Sequence, residues 1–316
     1  MNNQILRNQY KFKDFNHFEE MIGLTGRIEH VQMDCGVFYG VLSQIICGPL
    51  VIHRHRMNRK ILQTGIGASG FTTFLLTDDL EEDLYWRKKK LNGNIIGILK
   101  SNMEHSCVTP VNFSGISVTI ENNFLDKFVT SSGYQYFFKT IKNDETFNID
   151  RKDARKIRQL VMNLWSYEII DTEIVSPHLT KLIIESILSS HSNVSRRVGL
   201  SRGKVFEKAK EIIHDNFENP INVPSLLKEL GTSERNLRYA FNQHAGVSPR
   251  KYINYYRLNK ARKLIITGKI EKIVDAAHQI GFWHTGKFAA DYRMLFGEYP
   301  SQTKKSAKSS YNNFLI

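Results

Sequence analysis

A short helical segment carries the side chains whose chemistry is most specific. Residues Glu234–His244 form an amphipathic pattern whose polar face holds Arg235, Asn236, Arg238 and Tyr239. In the major groove of DNA, arginine pairs bidentately with guanine and asparagine pairs with adenine, so this face could read base edges. Any surface helix also has a solvated polar face. By themselves, these residues therefore indicate a candidate nucleic-acid contact without deciding between the two interpretations.

Two predicted helices and a tight turn would position this face. Asn222 can cap a short preceding helix, and Pro224 suits its first turn. Gly231 breaks the chain, and Ser233 is a good N-cap for the helix with the polar face. Helix, short turn with glycine and second helix is the helix-turn-helix arrangement. The inward apolar residues are Val223, Leu226, Leu227 and Leu230 in the first helix and Leu237, Ala240 and Phe241 in the second.

The same arrangement returns further along the chain with different residues. The pattern predicts a long basic helix over Pro249–Ile266 and a short helix over Ile273–Gln279. Ile280, Gly281 and Phe282 form the next turn, and a second recognition-type helix is expected from about Thr285 to Phe296. Two such units joined by a basic helix are far less expected by chance than one.

The basic residues are concentrated in the same part of the chain. The protein has a net charge of +13, and residues 201–316 hold 20 Lys and Arg against 10 Asp and Glu. Residues 1–200 are close to balance, with 24 basic and 21 acidic side chains. A basic module attached to a near-neutral one favours a polyanionic partner for the basic module, although a charge that serves solubility is the simpler alternative.

The two units together resemble a known family of regulators. The residues that carry the resemblance occur in order and with the right gaps: Ser233-x3-Leu237-x3-Phe241, Gly246-x-Ser248-Pro249, Tyr252-Ile253, Arg257-Leu258-x2-Ala261, Ile273-x3-Ala277-x3-Gly281-Phe282, Phe288 and Phe296-Gly297-x2-Pro300. Residues 204–303 thereby resemble the DNA-binding domain of the AraC/XylS family of transcription regulators.

The resemblance implies two helix-turn-helix subdomains that enter neighbouring major grooves, about 34 Å apart, on one side of the duplex. The base-facing candidates that it implies are Arg235, Arg238 and Tyr239 in the first unit and Thr285, Gly286, Lys287, Ala289 and Ala290 in the second. The candidates for contacts with the DNA backbone are Lys228, Asn236, Arg257 and Lys287.

The second unit departs from the family pattern. Gly286 and Ala290 lie where longer polar residues are common in the family. We therefore expect the first unit to carry most of the base discrimination. The second unit would contribute mainly phosphate contacts and shape readout.

The first part of the chain has a different pattern, which predicts an α+β protein overall. Residues 1–145 are expected to be β-rich, as a cupin-like barrel or a sandwich. Ile116, Val118 and Ile120 alternate with polar residues, which is the period of a half-buried strand. Asn92-Gly93 is a type I′ hairpin signal.

Helical spacing follows over residues 150–188, where Pro177 separates two stripes and is expected near the start of the second helix. The stripes are Ile157, Leu160, Val161 and Leu164, and Leu179, Leu182, Ile183 and Ile187. These helices could cover the β-rich region or form a dimer seam. We expect an effector-sensing or dimerisation domain over residues 1–190, a linker over 191–203, the DNA-binding domain over 204–303 and a basic polar tail over 304–316.

Catalytic and metal-site signals are weak. His53 and His55 have the spacing of a cupin metal pair, but Glu104 and His105 would point to opposite faces of a strand. We therefore expect no metal or cofactor, and we interpret His53 and His55 as residues of a solvent-exposed face. The three cysteines lack a CxxC pair or a reactive motif, and we expect no enzymatic activity.

The sequence thus predicts a cytoplasmic, sequence-specific DNA-binding transcription regulator, an activator with promoter DNA, RNA polymerase and a second copy of itself as partners. We also expect a small-molecule effector. We expect no membrane association, because no segment has the run of about 20 apolar residues that a membrane span needs. Two alternatives remain open: an architectural protein that binds DNA without sequence choice, and a cupin-type metal enzyme fused to a DNA reader.

Overall fold

The structure is a computed structural model of the 316-residue chain. It describes residues 6–14, 26–77, 84–86, 89–91, 94–143, 145–166, 171–190, 200–216, 219 and 221–313.

The first half of the chain is built from strands, as its alternating pattern predicts. Their bounds are β1 Leu6–Phe12, β2 Gly26–Gln32, β3 Gly40–Cys47, β4 Leu50–Met57, β5 Ile61–Gly67, β6 Phe71–Thr77, β7 Leu84–Trp86, β8 Lys89–Leu91, β9 Ile95–Leu99, β10 Glu104–Val108, β11 Phe113–Glu121 and β12 Thr146–Asn148. A seven-stranded sheet has the order β1-β3-β4-β11-β6-β9-β12, and a five-stranded sheet has the order β2-β5-β10-β7-β8.

Strand β11 lies between two neighbours, antiparallel to both β4 and β6, with Val118 opposite Ile52 and Phe74. Its apolar alternation is confirmed, but the expectation of a half-buried strand is wrong, because the polar residues between are buried too. Thr119, for instance, shares a 2.9 Å hydrogen bond with Thr73. A central strand covered on both faces needs such pairs, since a buried hydroxyl without a partner would be destabilising.

The hairpin turn expected at Asn92-Gly93 lies outside the described part of the chain. The strands on either side of it belong to different sheets. β8 pairs with β7, whereas β9 pairs with β6 and β12. A local turn signal cannot reveal which partner a strand finds, because strand pairing is a long-range choice.

Among the described residues, four helices follow or interrupt the strands: α1 Asn122–Ser131, α2 Phe137–Asn143, α3 Arg151–Asn163 and α4 Thr172–Leu188. The stripes of α3 and α4 contribute Ile157, Val161, Leu179 and Ile183 to the same buried core as the seven-stranded sheet. The sequence left open whether these helices cover the β-rich region or form a dimer seam. The apolar stripes pack on the seven-stranded sheet, so the helices cover it.

Helix α4 begins five residues before Pro177, which corrects the expected start. Asp171 is its N-cap, and its carboxylate accepts the Glu173 N–H at 2.9 Å. The proline lies inside the helix rather than between the two helices. The cap decides where the helix begins because it satisfies amide groups that the first turn leaves without partners.

The last third of the chain is helical. Four of its helices, α7 to α10 below, have the bounds that the sequence predicts. The helices are α5 Leu200–Asp215, α6 Val223–Leu230, α7 Glu234–His244, α8 Pro249–Ile266, α9 Ile273–Gln279, α10 Thr285–Phe296 and α11 Pro300–Asn313. Helix α11 includes most of residues 304–316, which the sequence predicts to be a basic polar tail. The α+β class, with a β-rich first part and a helical last part, is confirmed.

The chain divides into two compact units. The first consists of Met1–His30, Tyr39–Asn58 and Gln63–Ser195, and the second of Val31–Phe38, Arg59–Leu62 and Arg196–Ile316. Residues 191–199 of the expected linker lie outside the described residues. The second unit therefore contains two short segments from the first part of the chain, which no pattern in the sequence predicts.

Candidate nucleic-acid interface

An aromatic core holds helix α7 in place. Phe241 is fully buried and meets the rings of Phe206 and Tyr252 edge-on, each with a centroid distance of 5.1 Å. Leu237 and Ala240 are buried on the same side of the helix. Since one face of α7 is committed to this core, the opposite face is turned outward.

Local capping sets where α6 and α7 begin and how the turn between them closes. The Asn222 side chain accepts the Ser225 N–H at 2.9 Å, and the Ser233 hydroxyl accepts the Asn236 N–H at 3.2 Å. Gly231 ends α6 in the left-handed conformation, with φ of 58°. Glycine adopts this conformation without the strain that a Cβ atom adds. These residues make the turn that the sequence predicts.

The outward face of α7 carries the side chains that the resemblance implies for base contacts. Arg235, Arg238 and Tyr239 are exposed and line one surface depression together with Glu234 and Asn242. The Arg235 guanidinium lies 5.6 Å from the centroid of the Tyr239 ring. This distance is within the range of a cation–π contact between the two side chains.

Asn236 differs from its neighbours on α7. Its side-chain amide donates to the Thr232 hydroxyl at 2.9 Å, and the residue is only partly exposed. An amide already bonded to the preceding turn fits a contact with the DNA backbone better than adenine readout. Asn242 on the same helix was not among the candidates, although its position one turn beyond Arg238 could have indicated it.

Helix α10 is anchored by a second aromatic row. Phe288, Tyr292 and Phe296 are buried, with neighbouring rings 5.6 and 4.6 Å apart. The sequence candidates of this helix lie on the other side. Thr285, Gly286, Lys287 and Ala290 are exposed, and Ala289 is partly exposed.

Only one of the α10 candidates is charged. Lys287 forms an ion pair with Asp291 one turn later, at 3.1 Å, with its own side chain 67% exposed. The neighbouring candidates on this face have small side chains or none, and no atom lies within 4 Å of a Cβ added at Gly286. A surface of this kind can approach a groove closely but offers few hydrogen-bond donors to bases.

Trp283 is a candidate that the sequence analysis missed. It lies in the turn before α10, with 69% of its surface exposed, and its ring is 5.5 Å from that of His278. An exposed indole N–H beside a recognition-type helix can donate to a phosphate oxygen. The signal available in the sequence was a large aromatic residue directly after the Gly281-Phe282 turn.

A cleft of about 570 Å³ joins the two helix-turn-helix units. Its walls come from the start of α6, the outer side of α8 and the middle of α10. The charged and polar residues that line it are Asn222, Arg250, Lys251, Asn254, Arg257, Lys287 and Asp291. Four cations against one carboxylate in one cleft form a binding surface for an anion.

Arg257 lies deepest among these cations. It is partly buried, its guanidinium donates to the Ile221 carbonyl at 3.4 Å, and burial lowers the pKa of the group below its usual value. Arg257 and Lys287, two backbone candidates, thus line the same cleft. Lys228 is exposed on α6 and does not line it. Arg250 and Lys251 also line the cleft, although they were not among the predicted candidates. The two consecutive basic residues at the start of α8 could have indicated them.

His53 and His55 do not form the solvent-exposed face that we expected. His53 is buried and bonds Gln44 at 2.9 Å, while His55 bonds Ser117 at 3.0 Å. Burial lowers the pKa of His53 to about 4 and that of His55 well below its usual value. The expectation was wrong because the strand pairing places this face of β4 inside. Within the described residues, no group of three or more His, Cys, Asp or Glu could hold a metal ion.

No helix in the described part of the chain combines the length and the hydropathy needed to cross a membrane.

Comparisons with known proteins agree with this geometry. A helix-turn-helix domain family matches residues 226–306, from within α6 into α11. XylDLEGF operon transcriptional activator 2 of Pseudomonas putida is 35% identical over 133 residues, which cover 41% of this chain and 85% of that relative. Activator 1 of the same operon in that organism is 32% identical over 140 residues, but the chain spans only 42% of its length.

A solved structure of a probable AraC family transcriptional regulator from Rhodopseudomonas palustris CGA009 is 34% identical. It aligns with 33% of this chain and 97% of its own, with a TM-score of 0.31. The identity to a P. putida activator along most of that relative's length, together with the domain match, settles the classification: the chain belongs to the AraC/XylS family of transcription regulators.

Proposed function

We propose that the second unit binds double-stranded DNA in a sequence-specific manner, with α7 and α10 in successive major grooves and the α6–α8–α10 cleft on the phosphate backbone between them. The observation that carries this proposal is the cleft itself. Three of its cations belong to α8, the helix that joins the two helix-turn-helix units, and the fourth, Lys287, belongs to α10. Phosphates supply the anionic ligand that such a surface needs.

The two helices would divide the work. Arg235 and Arg238 have the length and the donors to pair with base edges, so α7 supplies the discrimination. Lys287 is the one charged candidate on α10, and the small residues beside it let that helix approach the groove closely. We therefore assign α10 mainly to phosphate contacts and to the shape of the groove.

The test begins with selection of a preferred duplex from a random library by the purified full-length chain. Dissociation constants are then measured for that duplex and for a scrambled one at several salt concentrations. Arg235→Ala should weaken binding to the selected duplex by roughly tenfold or more and relax the preference at one base position. Lys287→Ala should weaken both duplexes about equally and reduce the salt slope by about 1.

Matched controls are available on exposed positions of the first unit. Arg155→Ala and Lys127→Ala remove the same charges from α3 and α1 and should leave both dissociation constants unchanged. If Arg235→Ala leaves the ratio of specific to nonspecific affinity unchanged, the assignment of α7 is wrong. An architectural protein would bind the selected and scrambled duplexes alike, whereas a regulator should prefer its site by about 10³-fold or more.

For the whole protein we propose a cytoplasmic, nucleoid-bound activator of transcription that acts at promoters as a homodimer and contacts RNA polymerase. The support is the resemblance of the chain to relatives named as operon transcriptional activators. Chromatin mapping of bound sites, run with transcript measurements in a deletion strain, tests the activator role. Sedimentation of the purified chain tests the dimer.

We also propose that the first unit binds a small anionic effector. An open cleft of about 550 Å³ there is lined by Lys11, Arg56, Tyr39 and Phe113 among others. Two cations beside two aromatic rings favour an anion with an apolar body. A thermal-shift screen of small carboxylates and phosphates should find a stabilising compound whose effect Arg56→Ala abolishes. A stabilising compound whose effect survives this substitution would place the effector elsewhere.

A further inference from the structure

The second unit contains two segments that lie far from its helices in the sequence. Residues 31–38 and 59–62 belong to it. The first segment is bonded to helix α8 and to the end of helix α10, and the second segment is bonded to the first. We call these two segments the clasp. Gln32 is also the last residue of β2, so the clasp is covalently continuous with the five-stranded sheet.

A reciprocal pair of hydrogen bonds joins the clasp to α8. The Gln32 N–H donates to Asn259 Oδ1 at 3.0 Å, and Asn259 Nδ2 donates back to the Gln32 carbonyl at 3.2 Å. Asn259 also donates to the Tyr255 carbonyl at 2.7 Å within its own helix. Both residues are buried, at 0% and 6% exposure. The Asn259 side-chain amide thereby satisfies both backbone hydrogen-bonding groups of Gln32.

The same glutamine reaches the second recognition-type helix. Gln32 Nε2 lies 2.8 Å from the Leu295 carbonyl, and the Gly36 N–H donates to that carbonyl at 2.9 Å. Leu295 is in the last turn of α10, where carbonyl groups have no partner within the helix. Gly297 follows in the left-handed conformation, and a Cβ there would lie 2.6 Å from Val37 Cγ2. The clasp therefore fits closely against the end of α10.

Ionic contacts close the clasp on itself. Asp34 accepts the Lys60 N–H at 2.7 Å and the Arg59 guanidinium at 3.1 Å. Arg59 also donates to the Cys35 carbonyl at 2.8 Å, and the Met33 N–H donates to the Lys60 carbonyl at 2.8 Å. These bonds hold the two clasp segments as one piece.

We propose that the clasp fixes α10 relative to α8 and so sets the spacing at which the two recognition-type helices meet DNA, with Gln32 and Asn259 as positioning residues. This inference rests on the proposed function. The reason is geometric: one glutamine bonds both to the middle of the linker helix and to the end of α10, so neither helix can shift without breaking a buried bond. Buried polar networks of this kind favour one arrangement over its alternatives.

The test uses the full-length chain and Gln32→Glu, which keeps the shape of the side chain but turns its donor into a charged acceptor facing three carbonyl groups. Dissociation constants are measured for the selected duplex and for a version with one base pair inserted between the two contacted grooves. Each inserted pair moves the second groove by about 3.4 Å. Wild type should lose roughly tenfold or more on insertion, as expected for a lost base or phosphate contact.

For Gln32→Glu we expect weaker binding to the original duplex and an insertion penalty of less than about threefold, since α10 is no longer held at one spacing. A purely structural role would lower the melting temperature without changing this ratio. Gln159→Glu, at an exposed position of α3, is the matched control and should keep the wild-type penalty.

Arg59→Gln is the second variant, in case Gln32→Glu does not fold. It removes the guanidinium that bonds Asp34 and the Cys35 carbonyl, at a position that is only partly buried, and leaves the bond from the Lys60 N–H to Asp34 in place. Hydrogen exchange reports on the clasp without DNA: the amides of Gln32, Met33 and Gly36 should be protected in wild type and exchange faster in both variants.

Two failures are distinguishable. If wild type prefers no duplex, the proposed function fails and this inference fails with it. If wild type discriminates and pays the insertion penalty, but folded clasp variants show the same penalty, only the clasp is overturned. Amides that exchange at the wild-type rate in both folded variants would likewise overturn it.

Discussion

The imidazole of His214 lies flat on the ring of Tyr256, with centroids 3.9 Å apart and planes within 4°. Its Nε2 atom lies 2.9 Å from the Tyr252 hydroxyl. Burial, and then the charges of Lys210 and Lys260, lower the pKa of His214 to about 3. The helical unit is thus built around a neutral histidine.

This histidine should make stability depend on pH. Its folded pKa is below the unfolded value of about 6.5, so the unfolded chain binds the extra proton in the window between the two values. The stabilisation is complete above about pH 6.5 and is lost as pH falls towards 3. His214→Phe keeps the stack and removes the titration. The difference in unfolding free energy between wild type and variant should shift by about 2 kcal/mol from pH 7.5 to pH 5, measured by urea denaturation.

Removal of the cap of helix α7 should cost stability. The Ser233 hydroxyl accepts the Asn236 N–H, so Ser233→Ala leaves an amide of the first turn without its partner. We expect a loss of about 1 kcal/mol in chemical denaturation. Ser233→Asp should recover it, because a carboxylate caps the amide and favours the helix N-terminus. Equal stability of the alanine and aspartate variants would contradict the cap.

Two exposed glycines should respond in opposite directions to the same substitution. No atom lies within 4 Å of an added Cβ at either Gly231 or Gly286, so the backbone decides the outcome. Gly231 has φ of 58°, and Gly231→Ala should destabilise the protein by about 1 kcal/mol. Gly286 lies in the first turn of α10, and Gly286→Ala should stabilise it by about 0.5–1 kcal/mol. Thermal melts of both variants check the signs.

Substitutions of Arg262 and Glu298, which form an ion pair, should have non-additive effects on the free energy of unfolding. Arg262 Nη1 lies 2.9 Å from Glu298 Oε1, with the arginine side chain 8% exposed and the glutamate 30%. The guanidinium also lies 4.7 Å from the centroid of the Phe296 ring. Glu298→Gln takes this carboxylate away from a buried cation and should cost about 2–3 kcal/mol, less than for a fully buried pair because the glutamate is partly solvated.

Adding Arg262→Met to Glu298→Gln should recover part of that loss, because the buried positive charge is then removed as well. A double-mutant cycle by urea denaturation should therefore give a coupling energy of about 1–3 kcal/mol. Additive effects of the two substitutions would show that the pair contributes nothing beyond its separate contacts.

The sequence determined the helices of the second unit. Their ends are local events: Ser233 and Ser248 begin two of them, Gly231 and Gly297 end two others, and an apolar spacing of 3.6 residues selects the inward faces. Because these signals act within a few residues, the helix bounds and the exposed face of α7 could be predicted without coordinates. The assignment of each face residue to a base or to a phosphate stays a prediction.

Only the tertiary structure decided which distant residues meet. His53 is buried because β4 lies between β3 and β11 in the sheet. The two-residue spacing between His53 and His55 places both on one face of the strand, but it does not tell whether that face is buried or exposed. Gln32 and Asn259 are 227 positions apart, and no pattern around either residue indicates that the two are in contact. Contacts of this kind depend on how strands pair and loops close, which is a property of the whole chain rather than of any short segment of it.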